Sequence, residues 1–135
     1  MVKFGDDAFL DIDGVLEALG SSGNPIIFTS LYDDVGGDTN GDGGATLPTP
    51  LDPWGFNFYG APAVPASTVS YATIRNSQYG AYISGATLTL QNVTYEESDN
   101  GFYVDSAGVL TISDSTLGGT VGDLFAADGG SYVSI

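Results

Sequence analysis

The residues best suited to chemistry in this sequence are acidic and amide side chains in one glycine-rich stretch. Asp38, Asn40, Asp42 and Gly43 form the pattern D-x-N-x-D-G. Oxygen atoms at the first, third and fifth positions of such a loop converge on one cation, and the glycine at the sixth permits a sharp turn. The full helix-loop-helix pattern also needs a glutamate at the twelfth position, where this chain has Thr49. The spacing therefore predicts a calcium loop of a different type.

Further oxygen ligands for that cation lie nearby in the sequence. Two carboxylates precede the pattern, Asp52 follows it, and a backbone carbonyl is available just after the last aspartate. We predict a calcium ion held by Asp33, Asp34, Asp38, Asn40, Asp42 and the carbonyl of Gly44. Magnesium fits less well because it rarely uses cages made only of protein. The alternative is a solvated Asp- and Gly-rich loop without metal.

Tyr82 and Tyr103 are a second group with possible binding chemistry. They are expected on the outer face of neighbouring strands, where they would form an aromatic platform for sugar rings, with Asn57 as a hydrogen-bonding neighbour. The alternative is packing across strands, in which each aromatic pair adds ~0.2–1 kcal/mol.

Catalytic groups are scarce. The chain has no His and no Cys, so the usual nucleophile–base pairs are not available to it. Arg75 is the only basic residue away from the N-terminus, and its expected partner is Glu96, 21 positions later. Asp99 and Asp105 are conceivable hydrolase carboxylates, but both lie in or beside turns, where Asp occurs for conformational reasons. We expect a protein that is not an enzyme.

A pattern repeated between Ser67 and Asp128 indicates the elements that must position these residues. Leu88 recurs as Leu110 after 22 residues, and Gly80 recurs as Gly101 after 21. A fixed period in this range is typical of a solenoid, and alternation with period 2 inside each repeat indicates strands. The sequence therefore predicts an all-β fold, a parallel β-helix of about five coils of 21–22 residues.

The 135 residues are expected to form a single domain, 1–135, with one inserted loop. That loop is the acidic segment, defined here as residues 31–53, and its length points to a functional role. The stretch 8–20 admits either a helix or two strands, and the later repeats favour strands. Asp123 directly follows Gly122, so a strict register would bury its carboxylate without a partner, unless a bulge, a frayed last coil or a neighbouring module relieves it.

Alternation also predicts which side chains stack in the interior of the coils, because every second residue of a strand shares a face. The inward columns are Phe56/Ala81/Phe102, Phe58/Ile83/Val104, Val69/Leu90/Ile112 and Val93 below Ser115. The outward columns are Asn57/Tyr82/Tyr103, Thr68/Thr89/Thr111 and Thr73/Thr94/Thr116.

Composition limits the partners. Seventeen acidic residues against two basic ones give a formal charge of −15, which disfavours nucleic acid and anionic membrane and suits divalent cations. No apolar run approaches the roughly 20 residues of a membrane span. A hydrophobic content of 42% argues against disorder. The last residues, SYVSI, read as part of another coil, which is typical of a piece of a longer solenoid or of a short natural subunit.

Residues 9 to 77 carry a resemblance to a known family. The run LDIDGVLEALGSSGNPIIFTSLYDD, followed by GGDTNGDG, WGFNFYGA and STVSYATIRNS, resembles the right-handed parallel β-helix modules of bacterial and archaeal extracellular proteins. The resemblance implies a right-handed β-helix at the cell surface or outside the cell. It implies little about activity, because the same coil serves adhesins, surface-layer components and carbohydrate-active enzymes.

Together these features predict a non-catalytic, calcium-stabilised extracellular module with a structural or adhesive role. Its expected partners are itself or neighbouring modules, which would stack on the open ends of the helix and could form a filament. The alternative function is a carbohydrate-binding or carbohydrate-active β-helix domain, with glycans as partners.

Overall fold

The strands form because apolar residues alternate with polar ones over short runs that glycine, Asn and Asp interrupt. The computed structural model describes residues 1–61 and 65–135, and within them it contains 13 strands and no helix. The strands are β1 (Val2–Phe4), β2 (Ala8–Ile12), β3 (Glu17–Leu19), β4 (Ile26–Ser30), β5 (Trp54–Tyr59), β6 (Ser67–Arg75), β7 (Tyr79–Ser84), β8 (Thr87–Glu96), β9 (Asn100–Asp105), β10 (Val109–Ser113), β11 (Thr116–Leu117), β12 (Phe125–Ala127) and β13 (Tyr132–Ser134).

All pairings between these strands are parallel, and from β4 onward each strand lies on a strand of the preceding turn. Sheet 1 has the order β12-β9-β7-β5-β2. Sheet 2 has the order β1-β4-β6-β8-β10-β13, with β3 added beside β6 and β11 beside β8. The predicted parallel β-solenoid is confirmed. It has about six turns rather than five, partly because β1, too short to show a repeat in the sequence, adds a layer beside β4.

The predicted register is confirmed in the middle of the chain. Leu90 pairs with Val69 on one side and with Ile112 on the other, and all three side chains are buried. In sheet 1, Ala81 pairs with Phe56 and with Phe102 in the same way. These inward columns form one continuous apolar core along the solenoid.

Residues 8–20 are strands, as the repeats favoured. Ile12 pairs with Phe58 and Leu10 pairs with Phe56, so both occupy inward positions of β2. Leu10 is nevertheless 37% exposed, because β2 is the end strand of sheet 1 and no further coil covers it. The part of the chain that the structure describes contains no helix able to cross a bilayer.

Left-handed residues bend the chain at equivalent corners. Tyr71 within β6, Asn92 within β8 and Asp114 after β10 have φ values of 47°, 54° and 51°. Asn and Asp tolerate this region better than other side chains, because their short polar groups can hydrogen-bond locally. In β6 the bend separates the half that pairs with β3 from the half that pairs with β4. These two halves form two sides of a coil, and the strand of sheet 1 forms the third.

The last coil departs from the predicted register. Phe125, not Asp123, begins the strand β12, and it pairs with Phe102. The carboxylate of Asp123 is therefore exposed rather than buried. The turn before β12 is two residues longer than strict periodicity predicts, and this relieves the cost of burying an unpaired charge.

Candidate functional site

The acidic segment leaves the solenoid after β4 and returns at β5, and Asp38 organises its tip. One carboxylate oxygen of Asp38 accepts the N–H groups of Gly41 at 2.7 Å and Asp42 at 3.2 Å, and the other accepts that of Gly43 at 2.8 Å. Gly41 and Gly43 have φ values of 75° and 70°, which favour glycine. The D-x-N-x-D-G pattern thus forms a tight turn around its first carboxylate.

Asp42 is the most heavily hydrogen-bonded carboxylate of the segment. It accepts the backbone N–H groups of Gly44, Ala45 and Thr46, the hydroxyl of Thr46 and the amide of Asn40. The Thr46 hydroxyl is the main cause that lowers the pKa of Asp42. An ionised carboxylate offers about four lone-pair sites, so a metal ion at Asp42 would have to displace some of these donors.

The structure brings most of the predicted calcium ligands into one place. Asp34 lies against the turn, since its Oδ2 is 3.1 Å from the position of a Cβ at Gly44. Asp38, Asn40, Asp42 and Gly44 share that turn. The oxygen-only donor set suits calcium in chemical type. Within residues 1–61 and 65–135 no three carboxylates converge enough to hold an ion alone, so Asn40 and backbone carbonyls would have to complete the shell.

Asp33 lies elsewhere, at the corner where the acidic segment leaves the solenoid. It is only 4% exposed, and its Oδ2 accepts the Thr29 hydroxyl at 2.7 Å and the Arg75 guanidinium at 2.7 and 3.0 Å. Its Oδ1 accepts the N–H of Val35 at 2.9 Å. Burial, the largest influence, raises the pKa of Asp33, but the hydrogen bonds from Thr29, Val35 and Arg75 outweigh it, and the net pKa lies below the ordinary value.

Arg75 therefore has a different partner from the one the sequence indicated. The expected alignment with Glu96 is confirmed, since the two residues pair across β6 and β8. The ion pair, however, is between Arg75 and Asp33, at 2.7 Å. The acidic segment folds back onto this corner, which strand periodicity does not encode.

A column of outward side chains crosses sheet 1, and we call it the tyrosine column. Its members pair in register and are Asp11, Asn57, Tyr82, Tyr103 and Ala126. The rings of Tyr82 and Tyr103 stack with centroids 5.6 Å apart and an interplanar angle of 11°. Asn57 donates to Asp11 at 2.7 Å, so its amide is directed away from the tyrosine rings.

Each of the two tyrosine rings is held by a carboxylate at the end of the neighbouring strand of the next coil. The hydroxyl of Tyr82 donates to Asp105 at 2.9 Å, and that of Tyr103 donates to Asp128 at 2.5 Å. The hydrogen bond to Asp128 is the main cause that raises the pKa of Tyr103 to about 12. The sequence alone did not indicate a role for Asp128. Its position was nevertheless equivalent to that of Ser84 and Asp105, which are the last residues of β7 and β9, whereas Asp128 is the first residue after β12.

An open groove of about 340 Å³ runs beside the column, and we call it the tyrosine groove. Glycines of β7 and β9 contribute backbone atoms to the groove, and aromatic side chains of the same two strands also line it. Its lining is Tyr79, Gly80, Ala81, Tyr82, Asn100, Gly101, Phe102, Tyr103, Asp123 and Ala126. Sequence reasoning found the two stacked tyrosines of this groove but missed Tyr79, Asn100 and Ala126.

Comparison with known protein families, with curated proteins and with solved structures finds no match to this chain.

Proposed function

We propose that this chain is a non-catalytic, calcium-stabilised β-solenoid module with a structural or adhesive role outside the cell. The observation that carries the proposal is the regular outer face of sheet 1, where Tyr82 and Tyr103 are stacked and held by Asp105 and Asp128. Fixed aromatic rings on a stiff sheet present contact area at little cost in conformational entropy. Such a face suits adhesion.

The hydrogen bonds of the carboxylates beside the tyrosine column support a non-catalytic role. Asp105 and Asp128 each accept a phenol hydroxyl, so each is already engaged in orienting a ring. The sequence contains neither imidazole nor thiol, the groups that most often serve as base or nucleophile.

Calcium at the acidic segment is the stabilising part of the proposal. Asp34, Asp38, Asn40, Asp42 and Gly44 supply oxygen ligands, whereas Asp33 anchors the segment through Arg75. Bound calcium would offset the repulsion among these carboxylates and order a segment without regular strands.

Melting in calcium and in EGTA tests this assignment. We expect calcium at a hundredfold excess over its Kd to stabilise the native protein by about 2.7 kcal/mol. The double variant Asp38→Asn/Asp42→Asn is expected to lose this response, whereas Asp13→Asn, an exposed aspartate before β3, keeps it. Equal melting temperatures of the wild type in calcium and in EGTA would exclude a stabilising calcium site.

Self-association is the proposed partnership. The outer edges of β2 and β12 are the two ends of sheet 1, and their backbone groups can pair with a further coil. That coil can belong to the same protein or to a neighbouring module. Light scattering over a concentration series tests association between modules, and a constant monomer mass would rule it out for this chain.

The second candidate function is carbohydrate binding, and the tyrosine groove favours it. Ring faces, backbone and a few polar groups in an open cleft are typical of sites for small ligands. A glycan array probed with the wild type and with the double variant Tyr82→Ala/Tyr103→Ala tests it. We expect binding by the wild type only, and no binding by either protein would dismiss the sugar platform.

A further inference from the structure

The stack of rings in the tyrosine column stops at an alanine. Tyr103 stacks on Tyr82 on one side, and on the other side its partner in β12 is Ala126. A methyl group cannot cover a phenol ring, and the side chain of Tyr103 remains 40% exposed. The column therefore has space for one more ring on the open face of Tyr103.

This space is part of the tyrosine groove, which Tyr103 and Ala126 both line. Tyr79 also lines the groove and is exposed. Gly80 and Gly101 contribute backbone to the lining of the groove. A flat ring lying on Tyr103 would thus contact both Tyr103 and Ala126.

The ring of Tyr103 is already oriented for such a contact. Its hydroxyl is bound to Asp128 and its inner face is packed on Tyr82. A ligand that stacks on Tyr103 therefore does not have to order this side chain, which lowers the entropic cost of binding.

The negative charges around the space above Ala126 indicate which kind of ligand ring could bind there. Asp123 is exposed at the rim, Asp128 holds the Tyr103 hydroxyl, and the whole chain carries a formal charge of −15. Carboxylates accept hydrogen bonds from hydroxyl groups and repel anions. An uncharged ring rich in hydroxyl groups fits this environment, and a uronate does not.

We propose that the tyrosine groove binds one neutral pyranose residue of an oligosaccharide, with its apolar face on Tyr103 above Ala126 and its hydroxyl groups toward Asp123. This proposal rests on the carbohydrate-binding function proposed above and specifies its subsite and its class of sugar. It moves the expected contact away from Asn57, whose amide is bound to Asp11.

Calorimetric titration with neutral hexasaccharides of glucose, xylose and N-acetylglucosamine, and with hexagalacturonate as the anionic counterpart, tests the proposal. We expect at least one neutral probe to bind and hexagalacturonate not to bind. Ala126→Tyr would fill the space with a protein ring and weaken binding roughly tenfold, while the fold and melting temperature are retained. Tyr103→Ala is expected to weaken binding by a similar factor.

Tyr59→Ala is the matched control. Tyr59 also faces outward from sheet 1, is 38% exposed and contacts Tyr82 edge-on at 6.0 Å, but it does not line the groove. This variant is expected to bind as the wild type does. Because Ala126→Tyr adds a group rather than removing one, it remains informative even if Tyr103→Ala is poorly folded.

Three results would overturn the proposal. Unchanged binding by Ala126→Tyr would show that the sugar lies elsewhere, and carbohydrate binding itself would stand. Preference for hexagalacturonate would refute the charge argument. Failure of every probe to bind would refute both the subsite and the carbohydrate-binding function, while the structural role of the module would stand.

Discussion

Both basic side chains of the sequence, Lys3 and Arg75, contact the first part of the acidic segment. Arg75 pairs with the carboxylate of Asp33, and Lys3 donates to the carbonyl groups of Asp33 and Gly37. The chain has 17 acidic residues, and both of its basic side chains contact the region where the acidic segment joins the solenoid. Removing Arg75 leaves the buried carboxylate of Asp33 with fewer donors, which is costly.

We predict that Arg75→Gln lowers the free energy of unfolding by about 2 kcal/mol at neutral pH. The folded pKa of Asp33 is lowered, so its contribution is complete above the ordinary value of 3.8 and is lost as pH falls through the folded pKa. The difference between wild type and variant should therefore shrink in acid below about pH 4. Urea denaturation at several pH values measures it.

Glu96→Gln is the control for this prediction, because Glu96 is the partner that the sequence indicated and it pairs with Arg75 in the strand register. We expect a change within about 0.5 kcal/mol, because Glu96 is only half-buried and forms no ion pair among the described residues. A loss as large as that of Arg75→Gln would mean that the ion pair with Asp33 is not the one that stabilises the corner.

At the scale of the strand, glycines set how closely successive coils of sheet 1 approach. A Cβ at Gly80 would overlap the carbonyl oxygen of Gly101, and a Cβ at Gly101 would overlap that of Leu124. Gly55 has the same relation to Tyr79. The glycine at the second position of β5, β7 and β9 is therefore required by the backbone of the next coil.

We predict that Gly80→Ala destabilises the protein by about 2–3 kcal/mol, because the methyl group forces two backbones apart. The matched control is Gly14→Ala, since no described atom lies within 4 Å of a Cβ at Gly14. Its effect should stay within about 0.5 kcal/mol. Thermal unfolding of the two variants compares them, and similar melting temperatures would contradict the role assigned to the glycine at the start of β7.

At the scale of the whole molecule, each coil contacts only its neighbours, as in other solenoids. A side chain in a middle coil is therefore covered on two sides along the axis, and one in an end coil on one side only. Leu90, between Val69 and Ile112, is 0% exposed, whereas Leu10 in the end strand β2 is 37% exposed. Stability is expected to be highest in the middle.

We predict that Leu90→Ala lowers the free energy of unfolding by about 3 kcal/mol, because it opens a cavity in the apolar core. Leu10→Ala makes the same chemical change at the end of the core and should cost about 1 kcal/mol. Denaturant titration of both variants measures the difference. Equal losses would mean that the end coil is covered as well as the middle one.

The repeats of the amino-acid sequence are sufficient to predict the coil and the register of its middle turns. Successive repeats carry like residues 21 or 22 positions apart, and parallel stacking places such residues directly above one another, as for Leu88 and Leu110. Alternation then decided which side chains face the core, so the inward columns and the outward tyrosines could be predicted. The turn of the acidic segment was also predictable, because Asp38, the glycines and their spacing act within a few residues.

Contacts that depend on irregular chain paths could not be predicted from the periodicity and became evident only in the folded molecule. Asp33 and Arg75 are 42 residues apart, and they meet because the acidic segment folds back onto a corner of the solenoid. Ala126 follows Tyr103 in the column because the turn before β12 is longer than the repeat predicts. Periodicity fixes residues that every coil repeats, whereas the position of a side chain after an insertion depends on the path of that insertion through space.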